Sequence, residues 1–292
     1  MTGALDHAAM RRGPAGPLGI LALALMLVLT LAAVAPAAAQ QVGKLGSDEG
    51  PIEILADQGI EWRRSEKLYI ARGNASAKRG DFTVFADVLT AYYRERRDGS
   101  SEIYRIDAVG KVRMQSPNET AYSDNGVYDA DRGLLLLRGD DLRFITQQEV
   151  IRARDTLEYW ETEEVAVARG DASAVREDRE IMADVLTAYF TPNVNQELEM
   201  TTLKADGNVR VKTPREFAQG DSGVYYIEHE LVTLTNNVKL TRGENQMNGE
   251  YAEVNLETGI SRMLGGPPGQ TGDTRVRSLL VPGSESDNGG GS

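Results

Sequence analysis

Ala71-Arg72-Gly73-Asn74-Ala75-Ser76-Ala77 returns almost unchanged as Ala168-Arg169-Gly170-Asp171-Ala172-Ser173-Ala174. Ala86-Asp87-Val88-Leu89-Thr90-Ala91-Tyr92 returns as Ala183-Asp184-Val185-Leu186-Thr187-Ala188-Tyr189. Both pairs are 97 residues apart, and residues 54–137 align to 151–234 without a gap, with 33 identities in 84 positions. Self-similarity at a fixed interval marks a repeat architecture.

Each half divides further. Tight-turn pairs stand at Gly73-Asn74, Gly110-Lys111, Gly139-Asp140, Gly170-Asp171, Gly207-Asn208 and Asn236-Asn237. Gly and Asn tolerate positive φ, so each pair is expected to open a short strand. Second strands are expected to begin near Asp87, Asp124, Asp155, Asp184, Asp221 and Glu250. The chain thus reads as six copies of one unit.

Stacking the copies gives the direction of the side chains. After the turn one phase holds Ala75 and Ala77, Val112 and Met114, Leu142 and Phe144, Val209 and Val211, Val238 and Leu240. The other holds Ser76, Arg113, Arg143, Ser173, Arg210 and Lys239. In the following strands Leu89, Leu157, Leu186 and Val254 keep the apolar phase. Alternation with period two is the pattern of a strand with one apolar and one wet face. No 3.6-residue stripe competes with it outside the N-terminal segment. The fold class is all-β: an elongated stack of repeated antiparallel strands, twelve or more, around an apolar interior.

The ends read differently. Met10-Arg11-Arg12, the apolar run Leu18 to Val34 and Ala37-Ala38-Ala39 have the order of a secretory signal, with cleavage expected after Ala39. Residues 1–39 are therefore assigned as signal peptide and 40–50 as a polar lead-in. Residues 51–264 form the repeated domain, with halves of about 51–147 and 148–264. Residues 265–292 are expected to be mostly disordered, interrupted by the stretch Arg275 to Val281.

Composition excludes several functions. The net charge of −12 argues against nucleic acid as a partner. The absence of cysteine removes thiol chemistry and cysteine metal sites. Beyond the signal the only histidine is His229, between Glu228 and Glu230, so neither a Ser-His-Asp set nor a histidine metal site can be built. The recurring Asp87, Asp124, Asp155, Asp184 and Asp221 sit once per unit at one position, which fits turn closure by hydrogen bonding to backbone. No catalytic centre, metal or cofactor is expected. A long apolar lining suits a chain-like apolar ligand, and open sheet ends allow strand addition.

Pro51-Ile52-Glu53-Ile54-Leu55-Ala56-Asp57, followed by Ala71-Arg72-Gly73-Asn74-Ala75 and by Ala86-Asp87 with Tyr92, resembles the periplasmic lipopolysaccharide-transport proteins of the LptA/OstA type. The resemblance runs from about Pro51 to Leu264. It implies a V-shaped, jellyroll-like (β-taco) fold with an apolar groove. It implies binding of lipopolysaccharide acyl chains, end-to-end self-association, inner- and outer-membrane partners of related β-fold, and a periplasmic location. Ile52 and Ile54 match the family's Pro-Ile-x-Ile strand at the groove entrance. The other groove candidates are the phase residues Ala75, Ala77, Leu89, Val112, Met114, Leu142, Phe144, Leu157, Leu186, Val209, Val211, Val238, Leu240 and Val254. The alternative reading is a non-catalytic β-scaffold that binds partner proteins through its edge strands.

Overall fold

The computed structural model describes residues 52–267, apart from 98, 196, 197, 215, 256 and 259, together with residues 275–281. The signal and lead-in assigned from the sequence lie outside the described residues. The first half contains β1 Glu53–Leu55, β2 Ile60–Arg63, β3 Leu68–Arg79, β4 Phe82–Glu95, β5 Ser101–Gln115, β6 Thr120–Asp129, β7 Leu134–Arg138 and β8 Leu142–Ile145. Next come β9 Glu149–Ala153, β10 Thr156–Trp160, β11 Val165–Arg176, β12 Arg179–Pro192, β13 Leu198–Lys212 and β14 Phe217–Tyr226. The last are β15 Leu231–Arg242, β16 Asn245–Asn255, β17 Ile260–Leu264 and β18 Arg277–Leu279. All pairings are antiparallel. The strand bounds repeat at the interval read in the sequence: β3 and β11, β4 and β12, β5 and β13, and β6 and β14 each begin and end 97 residues apart.

Gly139-Asp140 lies between β7 and β8 and opens a short strand as expected, but the other five turn pairs behave differently. Gly73-Asn74 does not separate two strands. It is a bulge inside β3, where the register to β4 shifts between Arg72 and Ala75. β5, β11, β13 and β15 shift at their own pairs in the same way. Positive φ is used here to bend one long strand rather than to reverse the chain. The strands are consequently longer than expected, and β4 begins at Phe82 rather than near Asp87.

The recurring aspartates lock these bends. Asn208 Nδ2 donates to both carboxylate oxygens of Asp184, at 3.1 and 2.9 Å. Asn237 Nδ2 donates to Asp221 at 2.8 Å and Asn74 Nδ2 to Asp57 at 2.7 Å. Asp140 N–H donates to Asp124 at 2.8 Å, a backbone bond of the kind expected. Lys111 instead pairs with Asp87 at 3.8 Å. Gly207 needs its lack of a side chain twice, for a φ of +77° and because a Cβ there would run into Asp184.

The bends divide the sheet into two leaves. The first contains β2, β7, β10, β17 and the adjoining strand halves. The second contains β1, β8, β9, β18 and the other halves. Inner faces meet: a Cβ built on Gly126 in the first leaf would lie 3.1 Å from Met114 Cε in the second. The register makes each inner face a continuous apolar row. In the second leaf Ile54 faces Ala77, and the row runs on through Val84, Met114, Ala121, Phe144 and Ile151. It continues through Ala174, Ile181, Val211, Ala218 and Leu240 to Met247. The facing row mixes large and small residues, as in Leu89, Ala108, Gly126 and Leu137, so that side chains of the other leaf fit over the small ones.

Both sheet ends are capped by short strands. β1 and β2 both pair with β3, and β17 and β18 both pair with β16. β18 lies in the tail expected to be mostly disordered. Its three residues continue the second leaf.

Candidate functional site

The interior is not uniform along the stack. At the centre Phe144, Leu135, Leu137, Leu142, Ile151 and Leu186 are fully buried and fill the space between the leaves. Nearer β1 the leaves part around a cavity of about 670 Å³. Ile52, Ala77, Phe82, Val84 and Met114 form the second-leaf wall. Ile103, Ile106, Ala108, Gly126 and Tyr128 form the first-leaf wall. Lys78, Arg79, Arg96, Ser100, Ser101, Glu102 and Ala130 complete the lining. A mostly apolar wall with a few polar groups is the construction of a site for an amphiphile.

The charged groups are not equivalent. Arg96 Nη2 donates to Glu102 at 2.7 Å, and Arg94 Nε donates to the same carboxylate at 3.0 Å. These bonds hold the Glu102 carboxyl down to about 2, so it remains an anion and neutralises its arginines. Arg79 and Lys78 make no ion pair among the described residues. Arg79 Nε is shut off from water and has no hydrogen-bond partner. Tyr128, on the facing wall, is buried; desolvation raises its phenol, and Glu161, which accepts its hydrogen bond at 3.4 Å, adds to the rise.

Of the sequence-selected residues, Ile52, Ala77 and Met114 border the cavity. Ile54 and Val211 are partly buried and packed against the core. Ala75, Leu89, Val112, Leu142, Phe144, Leu157, Leu186, Val209, Val238 and Leu240 are buried within the packed interior. Val254 is half-buried on β16, in the inner phase beside buried Ala252. Ile106 and Tyr128 keep the apolar phase in the sequence but are not among the groove candidates, and phase analysis missed Phe82, Val84, Ile103 and Arg79. Phe82 and Val84 precede Asp87, the strand start expected from the sequence.

A profile described as LptA/(LptD N-terminal domain) LPS transport protein matches residues 53–155 and again residues 150–260. Comparison with curated proteins gave no match. Among solved structures, the crystal structure of LptH from Pseudomonas aeruginosa, described as the LptA homologous periplasmic component of the lipopolysaccharide transport device, aligns at 13% identity. That alignment covers 80% of this chain and 97% of LptH, with a TM-score of 0.22. On the two profile matches, which together span most of the described residues, this chain belongs to the LptA/(LptD N-terminal domain) family of LPS transport proteins.

Proposed function

We propose that this chain is a periplasmic, non-catalytic bridge that carries lipopolysaccharide from inner to outer membrane by holding its acyl chains between the two leaves. The observation that carries the reading is the unbroken apolar row from Ile54 to Met247, which opens at one end into a cavity. An acyl chain offers only apolar surface. Burial is worth about 0.8 kcal/mol per methylene, so a wall without polar interruptions is what retention requires. Where the rows close at Phe144 and Leu186, passage needs the leaves to part along their free rims. They stay joined at the bends.

The sheet ends supply the remaining function. β1 and β2 at one end and β17 and β18 at the other offer edges for a second copy, or for membrane-bound partners of related β-fold. Leu55, Ile60 and Trp62 expose 59%, 49% and 51% of their surface at the first edge, which suits a covered strand better than a free one.

Purified protein lacking residues 1–39 should bind lipopolysaccharide, and Met114→Asp should weaken binding about tenfold or more by placing a charge in the cavity wall. Binding that is unchanged by Met114→Asp contradicts the reading.

A further inference from the structure

The duplication allows the chain to be compared with itself. Arg79 and Arg176 stand 97 residues apart, at the ends of β3 and β11. Both are on the inner phase, and each is close enough to act on a buried phenol, Tyr128 in one case and Tyr225 in the other. Their partners differ. Arg176 faces Glu149 across the β9–β11 ladder, with Nη1 3.8 Å from its carboxylate. Glu149 is itself buried. In the first half the residue 97 positions before Glu149 is Ile52, which lines the cavity together with Arg79. The second half thus supplies an anion to its arginine from within the chain. The first half keeps the arginine, replaces the carboxylate by an apolar side chain, and leaves open space.

We infer that Arg79 is an anchor for a lipid-borne phosphate, with Ile52, Phe82 and Val84 taking the adjoining acyl surface. The inference rests on the lipid-binding reading above and deepens it. A guanidinium presents a planar fork that matches phosphate oxygens bidentately, and such charge-assisted bonds are roughly twice as strong as neutral ones. Arg96 is already engaged by Glu102, so Arg79, assisted by exposed Lys78, is the cation available to a ligand. Arg79 Nε and Arg176 Nη1 are both buried donors without a hydrogen-bond partner, but Arg176 is neutralised by the Glu149 carboxylate, and a phosphate bound to the Arg79 guanidinium would neutralise it in the same way.

The test uses the mature protein with three probes: diphosphoryl lipid A, the same lipid with both phosphates removed, and inorganic phosphate. The wild type should prefer the phosphorylated lipid by about tenfold. Arg79→Gln should reduce the preference to within about twofold while leaving affinity for the dephosphorylated lipid in place. Ile52→Glu should do the same by supplying the carboxylate that the second half already has. Arg210→Gln, an outward-facing change, should preserve the preference. A preference that survives both Arg79→Gln and Ile52→Glu overturns the anchor while the lipid-binding reading stands. Failure of the wild type to bind either lipid overturns that reading and the anchor with it. Inorganic phosphate binding as tightly as the lipid overturns the assignment to a lipid-borne group.

Discussion

Arg242 Nη1 lies 3.7 Å from the Glu216 carboxylate at the second-leaf rim, whereas the equivalent pair in the first half, matched by register, is Glu119 and Thr146. Glu119 is therefore buried without a cation partner among the described residues. Desolvation pushes its carboxyl up to about 8, opposed only by the Ser116 hydroxyl at 3.4 Å. The folded protein holds this proton more tightly than the unfolded chain does. Stability should fall as pH rises from the ordinary carboxylate value of 4.5 towards 8, and level off above. Glu119→Gln should remove that slope and stabilise the protein by ~2 kcal/mol at pH 8. Thr146→Arg should rebuild the pair and return the carboxyl towards its usual range. Chemical denaturation across pH 4–9 reads both.

The bends make a second prediction. Asn208 has a φ of +50° and supplies two hydrogen bonds to Asp184. Asn208→Ala should lose those bonds and place alanine in the left-handed region, costing ~1–3 kcal/mol in urea unfolding. Gly207→Ala should cost at least as much, and a second change, Asp184→Gly, should recover part of the loss by removing the carboxylate that a Cβ would strike.

Packed centre and open end should respond differently to truncation. Phe144 is 1% exposed in the closed interior, so Phe144→Ala should cost ~3–5 kcal/mol. Met114 borders the cavity, so Met114→Ala should cost only ~2 kcal/mol. Thermal unfolding of the two variants gives the ranking.

Self-association should depend on the β1–β2 edge. Leu55→Lys with Ile60→Lys places two charges on that edge without touching the core. Sedimentation velocity should shift from a concentration-dependent ladder to a single species, because edge lysines oppose strand addition.

Much of this structure was legible before any coordinates. The wet-phase set of Ser76, Arg113, Arg143, Ser173, Arg210 and Lys239 belongs to one outward register row. In it Phe85 faces Arg113, Arg113 faces Tyr122, and Tyr122 faces Arg143. Period-two alternation carries that information because neighbouring strands keep a common phase. The bends were not legible as bends, because Gly-Asn with positive φ serves a hairpin and a bulge equally well. Reading hairpins there cut β4 short and hid Phe82 and Val84. Arg79 was hidden for another reason. Alternation grades positions as apolar or wet, and a cation on the inner phase at a strand end looks like the strand's exit into solvent. Comparison of Ile52 with Glu149 would have found it, since the aligned arginines match and their partners do not.

The most direct test of the conduit is photocrosslinking in cells actively exporting lipopolysaccharide, with a benzophenone side chain placed at Ala77 or Ile106 on the cavity walls, or at Arg113 or Arg210 on the outer face. Adducts with lipopolysaccharide from Ala77 and Ile106, and none from Arg113 or Arg210, are the predicted result. Adducts from the outer positions alone, or equally from both faces, would contradict transport between the leaves.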